Sequence, residues 1–465
     1  MPDYTSLVQS HLNWFIENGI VTGYGPDDNA MWMSSLDLHT SRHPESWERP
    51  EGIKKRCYRW IESPDGSNLY WDQPLLVVAH HLGGAYATAA DAYVRDFLAR
   101  SVAPNGLFLW GNHYYYHAKE GAVVFFGGGE TPGLVSVDPA TQDGAYHETR
   151  PLPVAWDVLW RLDEGVTTKS IRAQGEWHVV DAETGEHNRH ADQKRGHAFL
   201  ESGAILAETL CWLAKRTGDA SLTTLALKVA TYNFNHRNEQ TGLLINSPLK
   251  DRWDGHMVTS EVGMWANCLM RCYRLSGEHA FAWMARNALG AWLDLAWDDS
   301  AQNFYGKLMI DKGTPVLGAK TTQYQPTDYC DLWEPLFPAH DYPMPNAEAC
   351  LMCYQHTGDE RFLVGLERWV QVIQNALPAP RGYAEHYGRC IHLLCEAADV
   401  LGRPAWRDLA HKIAGEAMNV LLLGDRFRSH VGEDRCDAVD GLGFLFLALL
   451  RLESGEEPDL MGLHF

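Results

Sequence analysis

From about residue 197 onward, apolar positions recur every three to four residues over stretches of some 15 to 20, and each stretch closes on a polar turn containing glycine. The turns read Thr217-Gly218-Asp219, Ser276-Gly277-Glu278, Thr357-Gly358-Asp359 and Leu401-Gly402-Arg403. Glycine supplies the left-handed residue that ends one helix, and the polar residue after it can cap the next. The pattern predicts helical hairpins pairing 197–216 with 220–236, 260–275 with 279–297, 344–356 with 360–376, and 385–400 with 404–422, followed by a last helix over 438–453. Gly242-Leu243-Leu244, Asn303-Phe304-Tyr305-Gly306 and Asp425-Arg426-Phe427 read as short extended pieces after the second helix of a hairpin. Upstream, Thr5 to Asn18 opens the chain as a helix, Leu75 to Arg100 has helical periodicity, and Pro153 to Trp160 pairs with Thr167 to His178.

Six or seven such hairpins can close into a ring, with a cleft at one end floored by inner helices and walled by long loops. The fold class expected is therefore all-α with short β-hairpins in the loops. No Pro/Ser linker, charge block or low-complexity run divides residues 1–465, so one domain is expected. The Gly127-Gly128-Gly129 run lacks the strand, spacing and Lys of a phosphate loop.

Composition narrows the partners. A net charge of −21 with no long Lys/Arg run argues against nucleic acid. No stretch approaches the roughly 18 uninterrupted apolar residues of a membrane span, and residues 1–18 lack the pattern of a signal peptide. Ten Cys, most of them inside amphipathic stretches, read as reduced and buried, which favours a cytoplasmic setting over an exported one. The aromatic count is high, with 18 Trp, 19 Tyr and 15 Phe beside 22 His. Some of these rings are expected to line a binding surface, where sugar C–H faces stack while His, Asp and Arg bond hydroxyls.

The hairpin tips, the loop Tyr329-Cys330-Asp331-Leu332-Trp333-Glu334-Pro335, the run Ala384-Glu385-His386-Tyr387-Gly388-Arg389 and the closing Asp437-Ala438-Val439-Asp440-Gly441-Leu442-Gly443 together resemble the six-hairpin glycosidase superfamily. The resemblance implies an (α/α)6 toroid and carbohydrate chemistry, with an oligo- or polysaccharide as substrate and no cofactor. That superfamily and related toroids include glycoside hydrolases, polysaccharide lyases and sugar epimerases of the N-acylglucosamine 2-epimerase type.

The residues offer two chemistries. Hydrolysis needs one carboxylic acid to protonate the leaving oxygen and a second carboxylate to activate water or attack carbon. Glu261, in the first turn of a helix, with Asp331 or Glu334 on the Trp333 loop, would supply that pair. Elimination from a uronate needs a cation for the carboxylate and a Tyr or His to take the C5 proton. Arg189, His190, His197, His386, Tyr387 and Arg389 are candidates, with His197 and Glu201 four apart on one helix face. Trp110, Tyr115 and Trp333 are candidate sugar platforms, and His190, His386, Arg189 and Arg389 candidate ligands for hydroxyls or a carboxylate. Hydrolysis of a glycan, one bearing uronic acid, is the favoured reading, with β-elimination second and epimerisation or non-catalytic sugar binding behind it. No metal is expected: His113 and His117 flank three tyrosines that favour a strand, and no carboxylate stands at a defined offset from them. The sequence leaves the sugar, linkage and oligomeric state open.

Overall fold

The computed structural model describes residues 3–44, 63, 65–126, 134–148, 152–249, 255–318, 328–333, 342–379 and 382–464. These form two compact units, one of residues 1–147, 154–170 and 378–465, the other of residues 148–153 and 171–377. The structure is helical with short antiparallel strand pairs, as the periodicity predicts.

The second unit is three helical hairpins: α6 (Leu200–Thr217) with α7 (Ala220–Asn235), α8 (Thr259–Ser276) with α9 (His279–Ala296), and α10 (Met344–Thr357) with α11 (Glu360–Asn375). In each, the first helix is inner and the second outer. The inner helices α6, α8 and α10 pack on one another and each carries its own outer partner. The division follows from burial: α6 is buried without a break from Leu200 to Ala207, whereas α11 buries one stripe of Phe362, Leu366, Trp369, Val370 and Ile373. Asn267 meets Glu348 at 2.7 Å and, two turns on, Arg274 meets Gln355 at 2.9 Å, so α8 and α10 run parallel. Gly218, Gly277 and Gly358 end these helices at φ of 74°, 75° and 67°, the left-handed caps that the turns predict.

The first unit holds α1 (Tyr4–Gly19), α2 (Leu69–Leu82), α3 (Gly84–Arg100), α4 (Trp156–Leu162), the first turns of α5 (Glu164–His178), α12 (Ala384–Leu401), α13 (Pro404–Leu421) and α14 (Leu442–Ser454). It too has three inner and outer pairs: α2 with α3, α12 with α13, and α14 with α1. No local signal predicts the last pair, because its members are separated by most of the sequence. Tyr4 N meets Glu453 at 3.1 Å while His11 packs edge-on against Phe446, which makes the pair antiparallel. The helical periodicity of residues 75–100 resolves into two helices, which meet at Gly83 and Gly84 with φ of 70° and 57°. The expected helix over residues 438–453 starts only at Leu442, because Gly441 turns left-handed at φ 66° after a 3-10 turn. Residues 242–244 form no strand, whereas Asn303–Phe304 and Arg426–Phe427 do.

Short strand pairs stand before several inner helices. We label them β8 (His256–Val258) with β11 (Lys307–Met309) ahead of α8, β14 (Arg435–Asp437) with β1 (Ser35–Asp37) ahead of α14, and β6 (Val179–Asp181) with β7 (Glu186–His187) ahead of α6. A four-stranded antiparallel sheet joins β2 (Gly66–Ser67), β3 (Tyr114–His117), β4 (Ala122–Phe126) and β5 (Leu134–Ser136). The remaining strands pair as hairpins, β9 (Trp297–Asp298) with β10 (Asn303–Phe304) and β12 (Leu422–Leu423) with β13 (Arg426–Phe427). Among the described residues no helix is long and apolar enough to cross a membrane.

Inner helices touch backbone to backbone at glycines. A Cβ on Gly263 would lie 2.6 Å from Asn346 N, on Gly388 2.5 Å from Leu445 N, and on Gly443 2.3 Å from the Pro74 carbonyl carbon. Ala in place of Gly388 is expected to destabilise the protein by about 2 kcal/mol or more, although Ala is the better helix former in isolation. Ala in place of Gly218, where φ is positive but the space is open, should cost only about 1 kcal/mol. Urea midpoints of the two variants, compared with the parent, check the order.

Candidate functional site

The most chemically charged group in the second unit gathers where the β6–β7 hairpin meets the start of α6. His178 ends α5, and its Nδ1 lies 2.8 Å from the Asn188 carbonyl; burial pushes this imidazole down to about 4, so it is neutral. The chain then folds through a braced loop. Asn188 Oδ1 accepts from His190 N at 2.9 Å, Asn188 Nδ2 donates to Asp192 at 2.5 Å, and Glu186 Oε1 accepts from Gly196 N at 3.0 Å. A backbone bridge sets Glu148 beside His190. Through it the buried Glu148 carboxylate reaches His190 Nε2 at 2.6 Å, and Arg189 Nε stands 3.6 Å from the same oxygen. Arg189 also lies over the Phe199 ring at 4.8 Å.

A carboxylate only accepts, so His190 Nε2 carries the proton and Nδ1 is the basic nitrogen. A guanidinium and an oriented imidazole, adjacent in sequence and held by one buried carboxylate, can bind an anionic group and take up a proton beside it. A carboxylate and an imidazole are also donor types suited to a divalent transition metal, so chelation belongs in any activity assay. Arg189 and His190 were singled out in the sequence. Glu148 was not, because nothing in its neighbourhood of the chain forms a motif and only the bridge brings it in.

His197 stands near this group by its backbone: it bridges Asn188, and its carbonyl accepts from Arg189 N at 3.2 Å. It does not share a helix face with Glu201. The helix starts at Leu200, since Gly196 turns left-handed at φ 76° and residue 197 is held in the bridge. Glu261 sits in the first turn of α8, where Asn246 Nδ2 donates to its Oε1 and the same Asn246 accepts from Leu200 N at 3.3 Å. The residue preceding α8 is Val258, and Thr259 Oγ1 donates to the Tyr305 carbonyl at 2.9 Å, so no side chain caps this helix. Asp331 lies next to Cys330, whose thiol meets Thr259 Oγ1 at 3.3 Å, and its own carboxylate accepts from Trp333 N at 3.1 Å. Glu334 lies outside the described residues. Trp333 is buried, with its indole N–H donating to the Ala376 carbonyl at 2.9 Å, so it packs against the end of α11 and offers no open sugar platform.

In the first unit the remaining candidates belong to the interior. Trp110 is surrounded by Tyr70, Phe97, Phe108 and Trp156 and donates to His147 Nε2 at 3.1 Å. Tyr115 is buried in β3, which explains a phenol pushed well above its ordinary value. Tyr387 is buried and donates to the Ala379 carbonyl at 2.6 Å. Arg389, expected to hold a substrate carboxylate, instead holds Glu385 at 2.8 Å with both side chains buried, and lies over Phe444. His386 is buried edge-on against Tyr383. The count of aromatic rings suggested binding surfaces, and at these positions the rings fill core instead.

The first unit also holds acids that the sequence reading passed over. Asp72, near the start of α2, accepts from Tyr93 Oη and, at 3.2 Å, from Asn68 N. Asp437, at the end of β14, accepts from Val439 N at 3.2 Å and lies 3.6 Å from Arg435, which pairs with Glu433. Burial pushes Asp72 up to about 7, with nearby Asp437 adding to the rise, and burial likewise pushes Glu433 up to about 7. Separately, a groove of about 650 Å³ is lined by Asp27, Arg100, Tyr116 and Asp138.

No family model matches the chain, and no curated protein does. Among solved structures it is similar to a D-mannose isomerase, at 9% identity over 97% of each chain with a TM-score of 0.51. An unsaturated glucuronyl hydrolase from Bacillus sp. GL1 aligns at 14% identity over 83% of this chain and 97% of its own, TM-score 0.46. A GH76 alpha-mannanase from Bacteroides thetaiotaomicron aligns at 11% identity over 98% and 97%, TM-score 0.49. At 9% identity the likeness to the isomerase is one of fold; among the described residues each unit holds three inner and outer helix pairs, the number that an (α/α)6 arrangement divides into.

The buried acids give a pH dependence. An unfolded Asp or Glu releases its proton near 3.8 or 4.5, whereas folded Asp72 and Glu433 hold theirs until about 7. Between those values the folded protein carries protons that the unfolded chain has lost, so stability is greatest at the acid end and falls as pH rises toward 7. Asp72→Asn should flatten the slope of urea midpoint against pH over that window; an unchanged slope rejects the assignment.

Proposed function

We propose that this chain is a carbohydrate-active enzyme, and that it cleaves uronate-bearing glycan by β-elimination at the Arg189–His190 group. The observation that carries the reading is the pair of contacts from Glu148, 2.6 Å to His190 and 3.6 Å to Arg189. The Arg189 guanidinium would bind the uronate carboxylate and lower the cost of charge developing at C5. His190 Nδ1 would take the C5 proton, the C4–C5 double bond would form, and the C4–O bond would break as the leaving oxygen gains a proton. Glu148 is then a positioning residue, which fixes the tautomer and orientation of the imidazole without touching the sugar.

Hydrolysis is the second reading, and one observation favours it. Glu261 stands two residues after Thr259, and Asp331 one residue after Cys330, whose thiol touches that same threonine, so two acidic residues lie close along the chain to one contact of the fold. Isomerisation, the activity named for the protein at TM-score 0.51, is tested by the same experiment, because product masses separate all three: hydrolysis gives fragments that together weigh one water more than the substrate, elimination gives fragments without that water, and isomerisation leaves one product of unchanged mass.

The protein should convert polygalacturonate or another uronate glycan to products with the ultraviolet absorbance of a conjugated unsaturated uronate. Arg189→Gln and His190→Ala are each expected to lower turnover by about a thousandfold. Glu148→Gln should lower it less and shift the pH profile, since the base is retained but no longer held by a carboxylate. Glu261→Gln should leave elimination within about tenfold of the parent. Near-normal turnover in both the Arg189 and His190 variants rejects the assignment, and loss in Glu261→Gln with products one water heavier selects hydrolysis.

A further inference from the structure

A second group in the same unit is built for a different ligand chemistry. Tyr305, just after β10, and Tyr329 form a backbone bridge, and their rings stack with centroids 5.3 Å apart and planes at 24°. Both side chains are half-buried. Both hydroxyls donate to one oxygen, Asp298 Oδ2, at 2.9 Å and 2.7 Å. The other oxygen accepts from Ser300 N at 2.8 Å, Ser300 Oγ at 2.7 Å and Ala301 N at 3.3 Å. These bonds hold the Asp298 carboxyl well below its ordinary range and push the Tyr329 phenol up to about 12. The half-buried Trp297 adjoins Asp298, with Arg368 over its ring at 4.9 Å.

The consequence lies in the direction of the protons. Each phenol has one proton and gives it to Asp298, so toward a ligand each can only accept. The carboxylate oxygens already accept from five donors, which suits Asp298 to orienting the two rings rather than to gripping a ligand itself. The surface therefore offers two fixed acceptors and aromatic ring in a setting of negative charge. It matches a sugar face that presents hydroxyl donors and C–H bonds, and it repels a carboxylate. The patch is not a loose loop: Gly306 N donates to the Asp328 carbonyl at 2.9 Å, and Thr259, the first residue of α8, donates to the Tyr305 carbonyl.

We infer that Tyr305 and Tyr329, oriented by Asp298, form a subsite for an uncharged sugar residue of the glycan. This rests on the carbohydrate reading above and deepens it, because a uronate held at Arg189 and a neutral sugar held here describe a glycan that contains both. The chemistry selects against a polymer made of uronate alone at this subsite.

The test is affinity electrophoresis of the full chain through gels containing glucomannan, xylan, galactan or polygalacturonate. At least one neutral polysaccharide should retard the parent protein. Tyr305→Ala and Tyr329→Ala should each weaken that retention by about tenfold, and Tyr329→Phe should weaken it less. Asp298→Asn, with the carboxylate charge removed, should move the preference toward polygalacturonate, a change that a purely bracing role would not produce. Circular dichroism of each variant identifies any loss of fold. Parent-like retention in both alanine variants, or no retention of the parent by any of the three neutral polysaccharides, overturns the subsite. Retention without any elimination activity would instead reject the Arg189–His190 reading and leave the subsite standing.

Discussion

Contact between helix backbones, made possible where Gly263, Gly388 and Gly443 carry no side chain, is the constraint on which the inner layer depends. Helices packed through ordinary side chains stand roughly 8–10 Å apart; here a single methyl would meet main-chain atoms. Gly263 and Gly388 lie within the first turns of α8 and α12, and Gly443 at the start of α14, so approach is tightest at the N-terminal ends of the inner helices. Those ends are also where the strand pairs enter and where Glu261, Glu385 and Asp437 are found. Tight backbone packing brings polar side chains from different segments within bonding range and removes water from them, which is why so many acids there are shifted upward.

The two units use buried charge differently. In the first, Glu385 holds Arg389, Glu433 and Asp437 share Arg435, and Asp72 accepts from Tyr93 and Asn68. Such pairs add little net stability but specify one arrangement, because breaking either partner leaves a buried charge. In the second unit Glu148 is buried while the groups it holds, His190 and Arg189, retain partial exposure. A buried anchor with partly exposed partners is the arrangement expected of a site that must present its groups to a ligand.

Most helices were legible in the sequence because their signals are local. Periodicity and the Gly218, Gly277, Gly358 and Gly402 turns place the boundaries within a few residues. The α1–α14 pair was not legible, since nothing local ties Tyr4 to Glu453. The site was legible only in part, for the same reason. Arg189 and His190 are neighbours in sequence and stand out together, but Glu148 arrives through a bridge forty residues away in the chain. Trp110 and Tyr115 misled because an aromatic ring in a core and one on a sugar platform look alike in sequence; only the surroundings of Trp110, four rings and an imidazole, tell them apart. His197 misled because the helix starts only at Leu200, after the left-handed Gly196, which dissolves the spacing to Glu201.

The closing of α1 onto α14 has a consequence for how the protein is made. The unit formed by residues 148–153 and 171–377 is nearly continuous in the chain, so its hairpins can assemble as they leave the ribosome. The other unit waits: α1 is made before the second unit and its partner α14 after it, and Glu453 reaches back to the amides of Tyr4 and Thr5. Until then α1 exposes Val8, Leu12 and Phe15, a face that is buried in the finished protein. A nascent chain stalled before residue 442 would therefore keep α1 as an unsatisfied amphipathic helix, the kind of segment that chaperones hold and proteases find first.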